Sequence, residues 1–325
     1  MTKKLFVIAG AIILTLTGCG KSTKLQDGKE VVASINGYNV TAEDVYAELK
    51  DKYGVSVVVN KIDKEIANAE ITDDKEATEY AENQIKSIKA QYEQYKMDFT
   101  EALKNAGYEN EKALKEAIIA DRKKEIVLKN YLKDELTDKE IKNYYDNEIY
   151  GEMTVRHILI KPEATDDMTT EDKKAAEDKA LEKAKKLINE LDGGADFATL
   201  AKENSDDAGT ASQGGLLSNF TKNGVVSEFF DASLALKENE YTKEPVKTTY
   251  GYHIILKVSE KEKPSLDSVE DDIKDTLVTN KLKEDTNLSV TAWNKIREKH
   301  NFKINDSAIQ KSYDDVIKQY EKSGN

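Results

Sequence analysis

A single cysteine in 325 residues, Cys19, means that the chain closes no disulfide within itself. Histidine is nearly as scarce. There are three, His157, His253 and His300, so chemistry that needs paired imidazoles has few places to be. Three prolines leave long stretches open to helix. Positive charge is outnumbered, 49 Lys and Arg against 62 Asp and Glu, and a formal net charge of -13 argues against nucleic acid as a partner. The main apolar run, Leu5–Leu16, falls short of the roughly 20 residues that a membrane-spanning helix needs. Charged residues at 34% and hydrophobic ones at 38% suit a soluble, helix-rich protein, and the length leaves room for two domains. No Cys/His cluster, phosphate-binding loop, dinucleotide fingerprint or internal repeat is present.

What is there begins with an address. Lys3 and Lys4 precede the apolar run, and Leu16-Thr-Gly-Cys19 then fits a lipobox, the cleavage signal of bacterial lipoproteins. Residues 1–18 read as a signal peptide, with Cys19 as the lipid acceptor and 19–29 as a polar tether. A plain signal peptide with an incidental cysteine is the other reading. A diacylated Cys19 carries two chains, enough for stable anchoring to a lipid membrane where one is marginal. The mature protein is then expected on the extracytoplasmic face. Removal of 1–18, which hold two lysines and no acid, takes the net charge from -13 to about -15.

Val31–Val40 sets two β-prone runs about Asn36-Gly37, a strong hairpin signal, and Thr41-Ala-Glu-Asp44 follows as a capping box. Val55, Val58, Val59, Ile62 and Ile66 fall at helical spacing, which predicts a helix from about Val55 to Ala69. Between Asp73 and Leu136, Ile85, Ile88, Tyr92 and Tyr95 form one apolar stripe, and Leu114, Ala117, Ile118, Ile126 and Tyr131 contribute to another. These stripes suit ordinary helix packing, or a half-open groove for unfolded polypeptide. Thr137-Asp-Lys-Glu140 opens a helix to about Glu148.

After Gly151 the pattern predicts a strand over Val155–Ile160, a polar loop, and a helix over Glu171–Leu191 ended by Gly193-Gly194. A short helix over Asp196–Glu203, a loop, and a helix over Phe229–Leu236 follow. From Leu266 an apolar periodicity runs to about His300 as one helix, expected to pack back on the N-terminal helices, with a last helix near Tyr313–Tyr320. His300, between Lys299 and Asn301, reads as exposed and inert.

Two stretches share one face. Thr154–Ile160 (TVRHILI) and Tyr250–Leu256 (YGYHIIL) are short β-branched runs with one histidine each. Side chains alternate along a strand, so His157 shares a face with Val155 and Leu159, and His253 with Ile255. If the strands are neighbours, two imidazoles meet in one pocket; two separate core histidines are the plainer outcome.

The segment between these strands adds Ser205-Asp-Asp-(…)-Gly214-Gly215-Leu-Leu217 and Phe229-Phe-Asp-Ala-Ser-Leu-Ala-Leu236. In this order and spacing the four motifs, over roughly Met153–Val258, resemble the parvulin family of peptidyl-prolyl isomerases. The opening A-S-I-N-G-Y-N-V-T also resembles the start of SurA/PrsA-like foldases. The resemblance implies an α+β fold: a parvulin-like small α/β domain, an antiparallel sheet with surrounding helices, inserted in a mostly helical SurA/PrsA-like chaperone domain. Expected bounds are 30–150 for the N-terminal helical domain, 151–260 for the isomerase and 261–325 for the C-terminal segment.

By the same resemblance His157, Asp207, His253 and Thr248 are the catalytic residues. Leu217, Val225, Phe229 and Tyr250 line the substrate pocket, Val225 where a larger apolar residue is common and Tyr250 where a smaller polar one is. Asp207 stands where some relatives carry cysteine, which disfavours a covalent nucleophile. The loop after the first strand holds Lys161 but also Glu163, Asp166 and Asp167, so a phosphorylated substrate is not expected. The resemblance implies isomerisation of X–Pro bonds in unfolded or newly exported polypeptides, with no cofactor and no metal, and leaves a homodimer open. A holdase with a weak or inactive isomerase domain is the alternative. Two histidines and a carboxylate could also form a metal set, a reading that the hydrogen-bonded network implied by the resemblance disfavours.

Overall fold

The computed structural model describes residues 23–24 and 29–323; the expected signal peptide and Cys19 lie outside these. In chain order the elements are β1 (Thr23–Lys24), β2 (Glu30–Ile35), β3 (Tyr38–Thr41), α1 (Ala42–Glu70), α2 (Lys75–Gln94), α3 (Phe99–Asn105), α4 (Glu111–Asp134) and α5 (Asp138–Glu148). There follow β4 (Met153–Ile160), α6 (Thr170–Asp192), α7 (Phe197–Asn204), β5 (Leu216–Phe220), α8 (Ser227–Ala235), β6 (Val246–Thr248) and β7 (Gly251–Glu260). The chain ends in α9 (Leu266–Glu284), α10 (Leu288–Lys299) and α11 (Ser307–Ser323). Two compact units emerge, one of Thr137–Ile273 and one that joins the residues up to Leu136 with those from Lys274 onward.

The middle unit is built on a four-stranded antiparallel sheet of order β5-β4-β7-β6. The alternation of β4 and β7 gives the sheet two apolar faces. Ile158, Ile160, Tyr252 and Ile254 pack with Ala184, Leu187 and Ile188 of α6 and Leu200 of α7. Val155 and Ile255, on the other face, pack with Phe220 and with Phe229 and Phe230 of α8. Each isoleucine so buried contributes roughly 1.5–3 kcal/mol. The inward stripe expected of α6, Ala180, Ala184, Leu187, Ile188 and Leu191, is buried throughout. Two strands differ from the sequence reading. Leu216–Phe220 and Val246–Thr248, expected as loop, pair on the edges of β4 and β7. They are five and three residues long, too short to show a period of two.

The other unit is helical, with a small sheet of order β1-β2-β3 at its start. The hairpin turns at Asn36 and Gly37, both at positive φ, as the Asn-Gly pair predicts. The Thr41/Asp44 capping box starts α1 at Ala42, so one 29-residue helix replaces the separate helix expected from Val55. Ile66 and Ala67 of α1 meet Val127, Leu128 and Leu132 of α4 and Ala292 and Ile296 of α10. Ile85, Leu103 and Leu114 form a smaller cluster with Phe99 against it, so of the Ile85–Tyr95 stripe Ile85 is core, Ile88 and Tyr92 are half-buried, and Tyr95 stands exposed. Arg297 holds both carboxylate oxygens of Asp63, at 2.7 and 2.8 Å, and also donates to the Tyr313 hydroxyl, which lets this charged pair lie buried.

The C-terminal helix expected to run to His300 is broken between Glu284 and Leu288. The Asp285 carboxylate accepts the Asn287 N–H there, a local bond that competes with the helical one. His300 stands exposed, as expected, with its Nε2 2.6 Å from Glu70 Oε1. Among the described residues no helix is long and apolar enough to cross a membrane.

Candidate active site

Register brings the two histidine strands together. In the β4–β7 ladder His157 lies opposite Ile255 and Leu159 opposite His253, so the imidazoles are diagonal neighbours on one face. Their Nδ1 atoms are 3.3 Å apart, and the rings stack at 5.5 Å between centroids. The Phe229 ring stands edge-on to both, 5.3 Å from His157 and 5.2 Å from His253.

The loop from Ser205 to Gly215 is sewn to β4. The Asp206 N–H donates to Leu159 O, the Asp206 carboxylate accepts the Lys161 N–H, and Ser205 Oγ accepts the N–H of Leu159. Arg156 donates to the carbonyls of Gln213 and Gly214. At Gly215, φ is +72° and a Cβ would lie 2.1 Å from His157 O, so only glycine lets this loop close on the strand. Asp207 Oδ2 is thereby set 3.0 Å from His157 Nε2. The Thr210 hydroxyl donates to the same carboxylate oxygen and lies 3.1 Å from His157 Nε2.

The partners assign the tautomers. A carboxylate only accepts, so His157 carries its proton on Nε2. Its Nδ1 is then a lone pair that accepts from His253 Nδ1–H. His253 Nε2, 2.9 Å from Thr248 Oγ1, accepts the Thr248 hydroxyl, and that oxygen accepts the Tyr250 N–H at 3.1 Å. The result is a one-way chain of donors, Thr248 to His253 to His157 to Asp207, with both imidazoles neutral. Burial lowers the pKa of His157 despite the attraction of Asp207. Burial, and then the neighbouring His157, lowers that of His253 to about 4. Burial works to raise the Asp207 pKa, but the Thr210 hydroxyl, the Gly209 N–H and His157 outweigh it, and the carboxyl is held below its ordinary value.

Above this chain opens a cleft of about 510 Å3. His157, Asp207 and His253 line it, with Leu217, Val225, Phe229 and Tyr250. Seven of the eight expected residues therefore share one cavity, and the eighth, Thr248, sits buried behind His253. Phe229 is buried, Leu217 and Val225 are half-buried, and Tyr250 stands exposed at the β6–β7 turn. Asp207 lies on the Nε2 side of His157 and His253 on its Nδ1 side, so the three do not converge on one point, as ligands of a single ion must. Sequence reasoning missed Thr210, which no motif singled out. Its spacing of three from Asp207, the reach of a hydroxyl in a turn, was the available signal.

The comparisons agree with the geometry. The family described as the PPIC-type PPIase domain matches residues 140–262. Foldase protein PrsA 3 of Bacillus anthracis is 31% identical over 320 residues, which cover 98% of this chain and 99% of that one. Foldase protein PrsA of Geobacillus kaustophilus is 32% identical over 282 residues, 87% of this chain and 88% of that one. The crystal structure of foldase protein PrsA from Streptococcus pneumoniae shares the fold, with a TM-score of 0.53 and 24% identity over 87% of this chain and 98% of that one. The middle unit is thus a peptidyl-prolyl cis/trans isomerase domain of the parvulin type, set within a mostly helical foldase. The chain belongs to the PrsA foldase family.

Proposed function

We propose that this chain is a lipid-anchored, extracytoplasmic foldase that isomerises X–Pro bonds in newly exported polypeptides by a non-covalent mechanism. The reading rests above all on the one-way hydrogen-bond chain beneath an apolar cleft, which ends on the Asp207 carboxylate. An X–Pro bond turns over in tens to hundreds of seconds unaided, against a barrier of about 18–20 kcal/mol set by amide resonance. Millisecond turnover needs about 10⁴-fold, or roughly 5.5 kcal/mol, of binding selective for the twisted amide.

Phe229, Leu217 and Val225 take the prolyl ring and keep water from it. The planar amide carries negative charge on its carbonyl oxygen, and the twisted amide carries less. A carboxylate held ionised beside the carbonyl therefore disfavours the planar form, and the neutral imidazoles supply the floor without adding positive charge that would favour it. Attack by Asp207 is disfavoured, its Oδ2 being engaged by Thr210 and His157 and its Oδ1 by the Gly209 N–H. Among the described residues Lys161 is the single cation lining the cleft, and Glu163 follows it, so generic X–Pro substrates fit better than phosphorylated ones. The anchor is the lipobox at Cys19.

Refolding of a proline-limited model protein tests the activity. The full chain should accelerate it catalytically, and His157→Ala should lower the rate constant about 10–100-fold, or roughly 1.4–2.7 kcal/mol. The half-buried Val225 and the exposed Tyr250 favour the second reading, a holdase with a weak isomerase site. That reading predicts suppressed aggregation, unchanged by His157→Ala, with no acceleration even at stoichiometric enzyme.

A further inference from the structure

We propose that the N-terminal sheet and the first half of α1 form a lipid-docking face that rests on the bilayer to which Cys19 is tethered. The inference rests on the anchored reading above and adds a second membrane contact to it. Eight of the fifteen large apolar side chains that stand exposed among the described residues fall between Val32 and Val57. From the hairpin come Val32, Ile35 and Tyr38, the last two 69% exposed. From α1 come Val45, Leu49, Tyr53 and Val57, which recur every four residues and so run along one helix face, with Tyr46 beside them. Apolar side chains gathered this densely on a surface mark a contact.

The path of the chain says what covers them. Thr23 pairs with Val31 and Val31 with Thr41, so the three form one row across the sheet, and α1 begins at the next residue, Ala42. Four residue steps separate Thr23 from Cys19, a reach of at most about 14 Å. Strands in a row lie about 5 Å apart, so a diacylated Cys19 holds the start of α1 and the hairpin close to the bilayer surface. Tyr38, Tyr46 and Tyr53 carry an apolar body and a polar tip, the combination that settles at the headgroup level. Residues 29–57 contain five acids and three lysines, so burial of apolar surface, not attraction to anionic lipid, drives the docking. The tether supplies the high local concentration that makes a weak contact persistent.

Because Cys19 is the only native thiol and the lipid occupies its sulfur, Ile35→Cys gives the lipidated full chain one labelling site. An environment-sensitive dye there should shift to the blue on vesicles of phosphatidylcholine with phosphatidylglycerol, and shallow spin-labelled lipid should quench it, equally at low and high salt. A dye on Asp167→Cys, in the polar loop after β4, should report water throughout. In the unlipidated Cys19→Ala chain, Tyr38→Ser with Tyr46→Ser should weaken vesicle binding about tenfold.

A dye at position 35 that keeps its aqueous spectrum while mass spectrometry finds Cys19 diacylated overturns the docking face and leaves the anchor standing. An unmodified Cys19 overturns the anchor and the docking with it. A blue shift without vesicles that grows with protein concentration, together with a dimer in sedimentation, assigns the face to a second copy of the chain and overturns the lipid proposal.

Discussion

The two faces of β4 and β7 are made by the same two stretches of chain, eight and ten residues long, and do opposite work. On one face Ile158, Ile160, Ile254 and Tyr252 are sealed under α6 and α7, with no titratable partner among them but the tyrosine. On the other, one step along each strand, His157 and His253 lie nearly as deep but at the floor of an open cleft. A period of two is enough to put a dry core and a reactive floor back to back. The dry face holds the register, and the register holds the imidazoles at hydrogen-bonding distance.

Breaking the sealed face should have the largest effect. Ile254→Ala empties a fully buried position and should cost about 2–5 kcal/mol in urea unfolding, with activity per folded molecule retained. Alanine at His157 should invert that pattern, with activity lowered about 10–100-fold and the unfolding midpoint changed less than by Ile254→Ala.

Acid comes next, and it acts on the open face alone. The pKa of His253 is about 4 in the folded chain and about 6.5 when unfolded. Between these values the unfolded chain binds a proton that the folded one refuses, so stability falls as pH drops from about 6.5 toward about 4, by on the order of 3 kcal/mol. The lowered His157 works in the same direction. So does Asp207: its folded pKa is depressed, and the stability it adds is lost as pH falls through that value. Urea midpoints at pH 7 and pH 4.5 should therefore differ more for the native chain than for His253→Phe, which keeps the ring and removes the titration. Equal differences would show that the buried imidazole is not the acid-sensitive group.

The smallest effect sharpens the site itself. Thr210→Val removes the hydroxyl bond to Asp207 and should lower kcat/KM by less than about tenfold, with KM little changed. Its distinguishing sign is in the pH profile: with one hydrogen bond fewer, the Asp207 carboxyl titrates higher, and the acid limb of activity moves up. Thr210→Ser should restore both.

How much of this was legible in the sequence follows the length of each signal. Capping boxes at Thr41 and Thr137 are local chemistry, and both form as read. The inward stripe of α6, and the face that each histidine takes on its own strand, follow from periodicity within one element, whereas the pairing of the two strands stays open without the resemblance. The edge strands escaped because Leu216–Phe220 pairs only through its partner β4, and Asn219 there takes a positive φ that no strand pattern announces. The break before α10 escaped because apolar spacing continues across it, while the bond that interrupts it is a single Asp285 carboxylate. Thr210 escaped because its value lies in what the fold brings beside it, not in its neighbours along the chain.

The entrance and exit of the isomerase unit are fastened side by side: the Lys261 N–H donates to Glu152 O, and the Lys261 ammonium pairs with the Glu152 carboxylate at 2.6 Å. The helical unit is made from pieces that lie on either side of residues 137–273. To join them across an unstructured span of that length would cost roughly 4 kcal/mol of loop-closure entropy. Once the middle has folded, its clasped ends have already met most of that cost. In a foldase of this plan, a centre that finishes first makes it easier for the beginning of the chain to find the end.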